Sequence, residues 1–144
     1  FSFPSKETSS TTFVTKAPKR INMTASQLPQ EHYLQVEEVY QSFVEQIQKD
    51  ASMGNIHLSD HIFASPQLNA IIQSLTQVLK ELLNSPQGME KIQTWLYRVD
   101  VSEGSIKKKL QQSNADYATT TAELIVKRSL QKIVIRYLHK NNLL

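Results

Sequence analysis

The stretch LNAIIQSLTQVLKELL, residues 68–83, carries the strongest periodic pattern in this chain. Its apolar residues recur at spacings of three and four, which places them on one face of an α-helix. These positions are Leu68, Ile71, Ile72, Leu75, Val78, Leu79, Leu82 and Leu83. The pattern predicts that helices build the hydrophobic core.

Three other segments share the helical spacing. They cover residues 30–50, residues 89–99 and a shorter stretch at residues 102–110. In the first of them, aromatic and aliphatic residues occupy one face, and glutamates and glutamines occupy the other. Amphipathic helices of this length, joined by short loops, are typical of a helical bundle.

Serine and proline mark the expected helix starts. After the first helix, Ser59 or Ser65 is predicted to open the next helical piece, with Pro66 in the first turn. Ser85 with Pro86 is predicted to open the following helix in the same way as Ser65 with Pro66. The reason is that serine caps helix N-termini, and that proline fits a first turn, where its missing N–H is not needed. Ser102 is predicted to begin the shorter helix in the same way.

The last segment, residues 116–139, requires a choice between strand and helix. Residues 132–138 read KIVIRYL and are rich in the β-branched residues typical of strands. No glycine or proline follows Gly104, however, and most apolar residues of the segment fall within one broad arc of a helical wheel. A second set of large residues lies on the opposite side: Tyr117, Leu124 and Ile135. The pattern therefore predicts a central helix that contacts neighbours on two faces.

The 144 residues divide by composition into two parts. Residues 1–28 are rich in Ser, Thr and Lys and follow no helical period, so this tail is expected to be disordered alone or bound to a partner. Residues 29–144 are expected to form the bundle domain. Four apolar residues of the tail are its candidate partner-binding anchors: Phe3, Phe13, Val14 and Ile21. The predicted fold is all-α, a bundle of four to five helices with an extended N-terminal tail.

Charge is distributed unevenly along the chain. Residues 1–29 contain four bases and one acid, residues 30–123 contain seven bases and twelve acids, and residues 124–144 contain five bases and no acid. Both ends are therefore basic and the middle is acidic. Such asymmetry bears on the choice of partners and on contacts within the molecule.

Four basic residues spaced by four form a stripe along the last predicted helix: Arg128, Lys132, Arg136 and Lys140. This basic stripe is the second candidate partner-binding surface, because residues at that spacing lie on the same side of a helix. Three uses remain open. The stripe can lie along phosphates, pair with an acidic surface on a partner protein, or dock onto the acidic first helix of the same molecule.

Catalytic and metal-binding patterns are weak. The chain has no cysteine, and neither of the common glycine-rich phosphate-binding motifs occurs. His57 and His61 lie four residues apart, but the sequence offers no third ligand near them, so Ser59 and Asp60 are interpreted as caps of a helix start. No catalytic residue, metal site or cofactor is predicted, and no apolar run is long enough for a membrane span.

The sequence therefore predicts a non-catalytic helical module that binds other protein subunits and serves as an accessory or scaffolding part of a larger assembly. The alternative is a nucleic-acid-associated bundle that uses the basic last helix. The acidic middle of the chain favours the first interpretation, because it would repel a polyanion. The absence of cysteine favours an intracellular location, and a chain that begins with Phe1 leaves organellar import open.

Overall fold

The computed structural model describes residues 30–143, which form six α-helices, one 3₁₀ turn and no strand. The all-α prediction is confirmed. The helices are α1 (Gln30–Tyr33), α2 (Glu37–Met53), α3 (Leu68–Leu83), α4 (Gly88–Val99), α5 (Glu103–Gln112) and α6 (Tyr117–Lys140), with the 3₁₀ turn at Asp60–Phe63. The candidate tail anchors Phe3, Phe13, Val14 and Ile21 lie outside the described residues.

Helix α6 lies at the centre of the bundle and packs against each of the other five helices. The strand-like segment at residues 132–138 is part of this helix, as predicted. Its apolar side chains are buried along the whole length, at Ala118, Ala122, Ile125, Val126, Leu130, Ile133, Val134 and Leu138. Half-buried Tyr117, Leu124 and Ile135 also pack against the core, which confirms that α6 contacts neighbours on more than one face.

The predicted helix at residues 30–50 is interrupted. It ends at Tyr33 and resumes at Glu37, with Val36 in an extended conformation (φ −85°, ψ 117°). Two tertiary contacts lie at the interruption. The side-chain Nε2 of Gln35 donates to the carbonyl of Pro66 at 3.2 Å, and the ring of Tyr33 packs edge-on against that of Tyr137 at 6.2 Å. Both contacts lie at the break, and α1 and α2 each pack against α6.

The prediction that Ser65-Pro66 and Ser85-Pro86 open helices is wrong. Helices α3 and α4 begin two residues after each proline, and neither has a side-chain cap. The Oγ of Ser85 instead donates backward to the carbonyl of Leu82 at 2.8 Å, closing the preceding helix. The hydroxyl is thus used in the turn between two helices, on a carbonyl that also accepts from the backbone N–H of Ser85 at 3.0 Å.

The two later helix starts are capped by side chains. Ser102 accepts a hydrogen bond from the backbone N–H of Ser105 at 3.0 Å, as its position predicted. Asp116 accepts one from the N–H of Thr119 at 2.9 Å at the start of α6. Those hydrogen bonds from Thr119, together with the charge of Lys80, hold the pKa of Asp116 below its ordinary value. Both caps satisfy N–H groups that the first helical turn leaves free.

Two glycines allow close backbone approach. At Gly88, a Cβ atom would lie 1.5 Å from the carbonyl oxygen of Leu82, so the end of α3 and the start of α4 meet directly at this residue. At Gly54, which follows α2, a Cβ atom would lie 3.0 Å from the carbonyl oxygen of Lys91 on α4. The close fit at these points determines how α4 lies against α2 and α3.

Candidate interaction surfaces

A cleft with a volume of about 770 Å³ lies between α3 and α6. We call it the α3–α6 groove. Five apolar residues line it: Leu68, Ile72, Val101, Leu124 and Leu130. Polar residues complete the lining: Glu31, Asn69, Asp100, Ser105, Glu123, Lys127, Arg128 and Gln131. The groove thus combines an apolar lining with charged groups.

Charged side chains on α6 are held in place within the groove. Arg128 donates through Nη2 to Oδ2 of Asp100 at 3.0 Å and through Nη1 to Oε1 of Gln131 at 2.6 Å. The neighbouring Lys127 pairs with Glu123, one turn earlier on α6, at 3.0 Å. Asp100 ends α4 in the left-handed conformation (φ 70°), so its carboxylate meets Arg128 at the turn into α5. Ion pairs of this kind contribute little stability when they are exposed, as the Asp100 side chain is.

Half-buried Ile72 and Leu124 leave part of their apolar surface open to the groove. Ile72 and Leu124 were not predicted from the sequence as a binding surface. A signal was nevertheless present. Leu124 lies opposite the main apolar arc of α6, and Ile72 follows Ile71 directly, so that one helix carries more apolar surface than one neighbour can cover.

The basic stripe is largely used within the molecule. Arg136 donates to Oε1 of Gln46 on α2 at 3.1 Å, and Lys140 pairs with Glu38 on the same helix. Arg128 pairs with Asp100, as described above. The hydrogen bond to Glu38 and its negative charge raise the pKa of Lys140 above its ordinary value. The suggestion that the stripe docks onto the acidic first helix thus matches the contacts of Arg136 and Lys140, and binding of an outside partner stays a prediction.

The members of the stripe meet different helices because a spacing of four is not a whole number of turns. Each step of four residues advances by about 40° beyond a full turn. From Arg128 to Lys140 the direction therefore changes by about 120°. The first residue faces the turn after α4, and the last faces α2. The four bases wind around the helix and do not form one straight row.

A hydrogen-bonded chain crosses from α6 to α2. Nε2 of Gln46 donates to both carboxylate oxygens of buried Asp50, at 3.2 and 3.1 Å, while its Oε1 accepts from Arg136. The amide therefore connects a buried carboxylate to a guanidinium without direct contact between the two charges. The buried Asp50 carboxylate therefore has the hydrogen-bond partner that buried polar groups require.

The histidine pair at residues 57 and 61 is used locally. Nδ1 of His61 lies 2.6 Å from Oγ of Ser59, and Oδ1 of Asp60 accepts a hydrogen bond from Gln48 at 2.9 Å. The predicted helix start is a single 3₁₀ turn with Ser59 at its N-cap position, but neither Ser59 nor Asp60 caps it through a side-chain hydrogen bond. The Ser59 hydroxyl contacts the imidazole, and the Asp60 carboxylate contacts α2. Within residues 30–143, no group of three His, Cys, Asp or Glu side chains converges on a metal-binding geometry.

Comparison of this chain with protein families, with curated proteins and with solved structures found no match. Among the helices of residues 30–143, none combines the length and the apolar character needed to cross a membrane.

Proposed function

We propose that this protein is a non-catalytic helical interaction module, an accessory or scaffolding subunit that binds a segment of another protein in the α3–α6 groove. The observation that supports this proposal is the groove itself. Leu68, Ile72 and Leu124 line a cleft of about 770 Å³, and charged side chains lie beside them. Apolar contact with a partner would supply the affinity, and the charges would supply orientation.

The groove suits a polypeptide segment because its walls are helices that the rest of the fold holds in place. Leu130 is fully buried in the core between the groove and the remaining helices. Arg128 and Asp100 hold one another across the groove wall at 3.0 Å. A preformed surface loses little conformational entropy when a partner binds, which favours affinity.

The alternative, binding of nucleic acid by α6, has weaker support. Arg128, Arg136 and Lys140 each contact another side chain of this molecule, and two of those partners, Asp100 and Glu38, are carboxylates. A phosphate backbone would have to displace these contacts and approach the acidic side chains. α6 is also buried along its length, whereas a helix that reads a groove of DNA needs an exposed polar face.

A substitution that fills the groove tests the proposed function. Asn69 is exposed on α3 and lines the groove, so Asn69→Trp is expected to block it without changing the core. The measurement is co-purification of proteins with the tagged full chain from its source cells, quantified against wild type. We expect proteins that bind through the groove to fall at least about tenfold, a loss of about 1.4 kcal/mol in binding.

A matched control keeps this test specific. Gln77 is exposed on the same helix and does not line the groove, so Gln77→Trp adds the same side chain at a neutral position. The control is expected to retain wild-type partners. Equal partner recovery from Asn69→Trp and wild type would overturn the proposed use of the groove.

The nucleic-acid alternative has its own test. We expect the wild-type chain to show no measurable affinity for generic duplex or single-stranded nucleic acid near 0.15 M salt, where nonspecific binders have a Kd of about 10⁻⁴–10⁻⁶ M. Micromolar binding that weakens steeply with salt and disappears when Arg128, Lys132 and Arg136 are all replaced by Gln would support the alternative. Circular dichroism of the triple variant must show an intact helical fold, because two of these residues make contacts to other elements.

A further inference from the structure

We propose that two copies of this chain associate through the outer face of α4, as an antiparallel pair of helices about a twofold axis. The α4 outer face consists of five exposed residues: Met89, Glu90, Gln93, Tyr97 and Arg98. None of these five lines the α3–α6 groove, so the inference goes beyond the proposed function, and the dimer keeps one groove on each copy.

Exposed apolar side chains gather on and beside α4. Tyr97 is 83% exposed and Met89 is 43% exposed, and both belong to the α4 outer face. In the described part of the chain, the other large hydrophobic side chains that are exposed are Met53 and Leu83, the last residues of α2 and α3. Both helix ends adjoin α4 at the close backbone approaches of the two glycines described above. A cluster of exposed apolar residues marks an interaction site, whereas scattered ones do not.

The outer face has the composition of a protein interface. Met89, Gln93 and Tyr97 recur every four residues, so they lie along one side of the helix. Tyrosine, methionine and arginine are all enriched at interfaces relative to the rest of the protein surface. The apolar contact would come from Met89 and Tyr97, whose side chains would pack against each other across the pair, as sulfur and aromatic rings do favourably.

The charges of the outer face complement a second copy of the same face. Glu90 directly follows Met89 and Arg98 directly follows Tyr97, so both charges lie on the same flank of α4. Within residues 30–143, neither side chain forms an ion pair. In an antiparallel pair about a twofold axis, the same flanks of the two helices meet, and each contact occurs twice.

The twofold axis also brings the right charges together. With the axis half a residue beyond Gln93, Glu90 of one copy lies within one residue, about 1.5 Å along the helix, of Arg98 of the other copy. Two identical ion pairs then flank the apolar contact. In a parallel pair, each Glu90 would meet another Glu90 and each Arg98 another Arg98, which is repulsive. Charge therefore selects the antiparallel arrangement.

The length of α4 determines how strong the dimer can be. The helix has 12 residues and is about 18 Å long, so the interface is small. Small interfaces belong to weak, transient complexes, and we expect a Kd of about 0.1 mM. Unfolding experiments at a few micromolar protein therefore report on the monomer.

Sedimentation velocity of the full chain tests the association. We expect the weight-average sedimentation coefficient to rise between about 10 µM and 1 mM protein toward the value of a dimer, because the expected Kd lies within this range. A sedimentation coefficient that shows no self-association up to 1 mM would overturn the proposal.

Reversal of single charges tests the face and its direction. Glu90→Arg and Arg98→Glu are each expected to raise the Kd at least about tenfold, because each change places like charges opposite one another in both symmetric contacts. An equal mixture of the two variants is expected to associate as tightly as wild type, since each chain supplies the charges that the other lacks. Two variants that associate as well as wild type, or a mixture that stays monomeric, would overturn the proposal.

Glu103→Arg is the matched control for these charge changes. Glu103 is exposed in the first turn of α5, as Glu90 is in the first turn of α4. The control therefore has the same change in net charge and the same loss of a favourable charge at a helix N-terminus. It is expected to keep the wild-type Kd. An equal loss of association in Glu103→Arg and Glu90→Arg would assign the effect to net charge and would overturn the proposal.

Disulfide formation between copies gives a second measurement that leaves the charges unchanged. The chain has no cysteine, so Gln93→Cys introduces a single thiol next to the twofold axis. Oxidised glutathione takes up the two electrons and two protons that a pair of thiols releases. We expect the covalent dimer to form at least about tenfold faster than with Gln77→Cys, an exposed position on α3. Equal rates for the two variants would overturn the proposal.

Failure of this inference can be distinguished from failure of the proposed function, because none of these measurements involves a partner protein. If the charge variants behave as expected but Asn69→Trp leaves every partner in place, the dimer is supported and partner binding through the groove fails. If Asn69→Trp removes partners but wild type stays monomeric up to 1 mM, the groove binds partners and the dimer is overturned.

Discussion

Trp95→Ala is expected to lower the free energy of unfolding by about 3–5 kcal/mol. Trp95 is fully buried in α4, which packs against α2, α3 and α6. Removing the indole leaves a cavity that rigidly packed helices fill only in part, so both the transfer free energy and the contacts of the ring are lost. Equilibrium denaturation in urea, followed by circular dichroism, measures the change.

Tyr97 provides the matched control for this substitution. It lies two residues away on the same helix, is also aromatic, and is 83% exposed. Tyr97→Ala is expected to change the free energy of unfolding by no more than about 0.5 kcal/mol. A near-neutral Trp95→Ala would contradict the packing of α4 described here.

Gly88→Ala is expected to destabilise the protein by at least about 3 kcal/mol, through strain and not through lost contacts. The new Cβ would lie 1.5 Å from the backbone oxygen of Leu82, a distance that no rotamer change can relieve. The turn between α3 and α4 would have to open. A single methyl group would thus separate two helices that both contact α6. Thermal unfolding monitored at 222 nm reports the loss of stability.

Gly104→Ala is the control for this strain. Gly104 lies in the first turn of α5, where the nearest atom to a new Cβ is Oγ of Ser102 at 3.8 Å. Alanine favours a helix over glycine by up to about 1 kcal/mol, so this variant is expected to be neutral or slightly more stable. If both substitutions had the same effect, helix propensity and not the close approach at Gly88 would govern the result.

The helices could be predicted wherever the spacing of apolar residues determines the secondary structure. The segment at residues 132–138 shows why: its β-branched residues favour a strand, but the apolar arc continues from Ala118 to Leu138 without a break. Local propensity is a weak preference, and the burial of a continuous apolar face outweighs it. α6 is accordingly one helix.

Helix boundaries were less predictable because tertiary contacts decide them. Gln35 reaches the carbonyl of Pro66, thirty-one positions away, and the chain breaks between α1 and α2 at this point. Ser85 closes the helix before it and does not open the one after it. A serine beside a proline can serve either role, and the choice depends on which carbonyl or N–H lies nearby in the folded molecule.

The α3–α6 groove could not be located from sequence, because it is defined by the distance between helices. The apolar excess at Ile72 and Leu124 indicated only that these helices had surface left to cover. Whether a neighbouring element covers that surface depends on how α3 and α6 cross and on where the turn at Asp100 lies. The winding of Arg128 and Lys140 around α6, in contrast, follows from helix geometry alone.

The central position of α6 has a consequence for biosynthesis. The ribosome makes α1 to α5 before α6, yet each of those five helices packs against it. A nascent chain that ends before Tyr117 therefore exposes the apolar faces of α2 and α3 without the element that covers them. Such surfaces are prone to aggregation and are the targets of chaperones. The bundle can complete its core only after translation has passed Leu138.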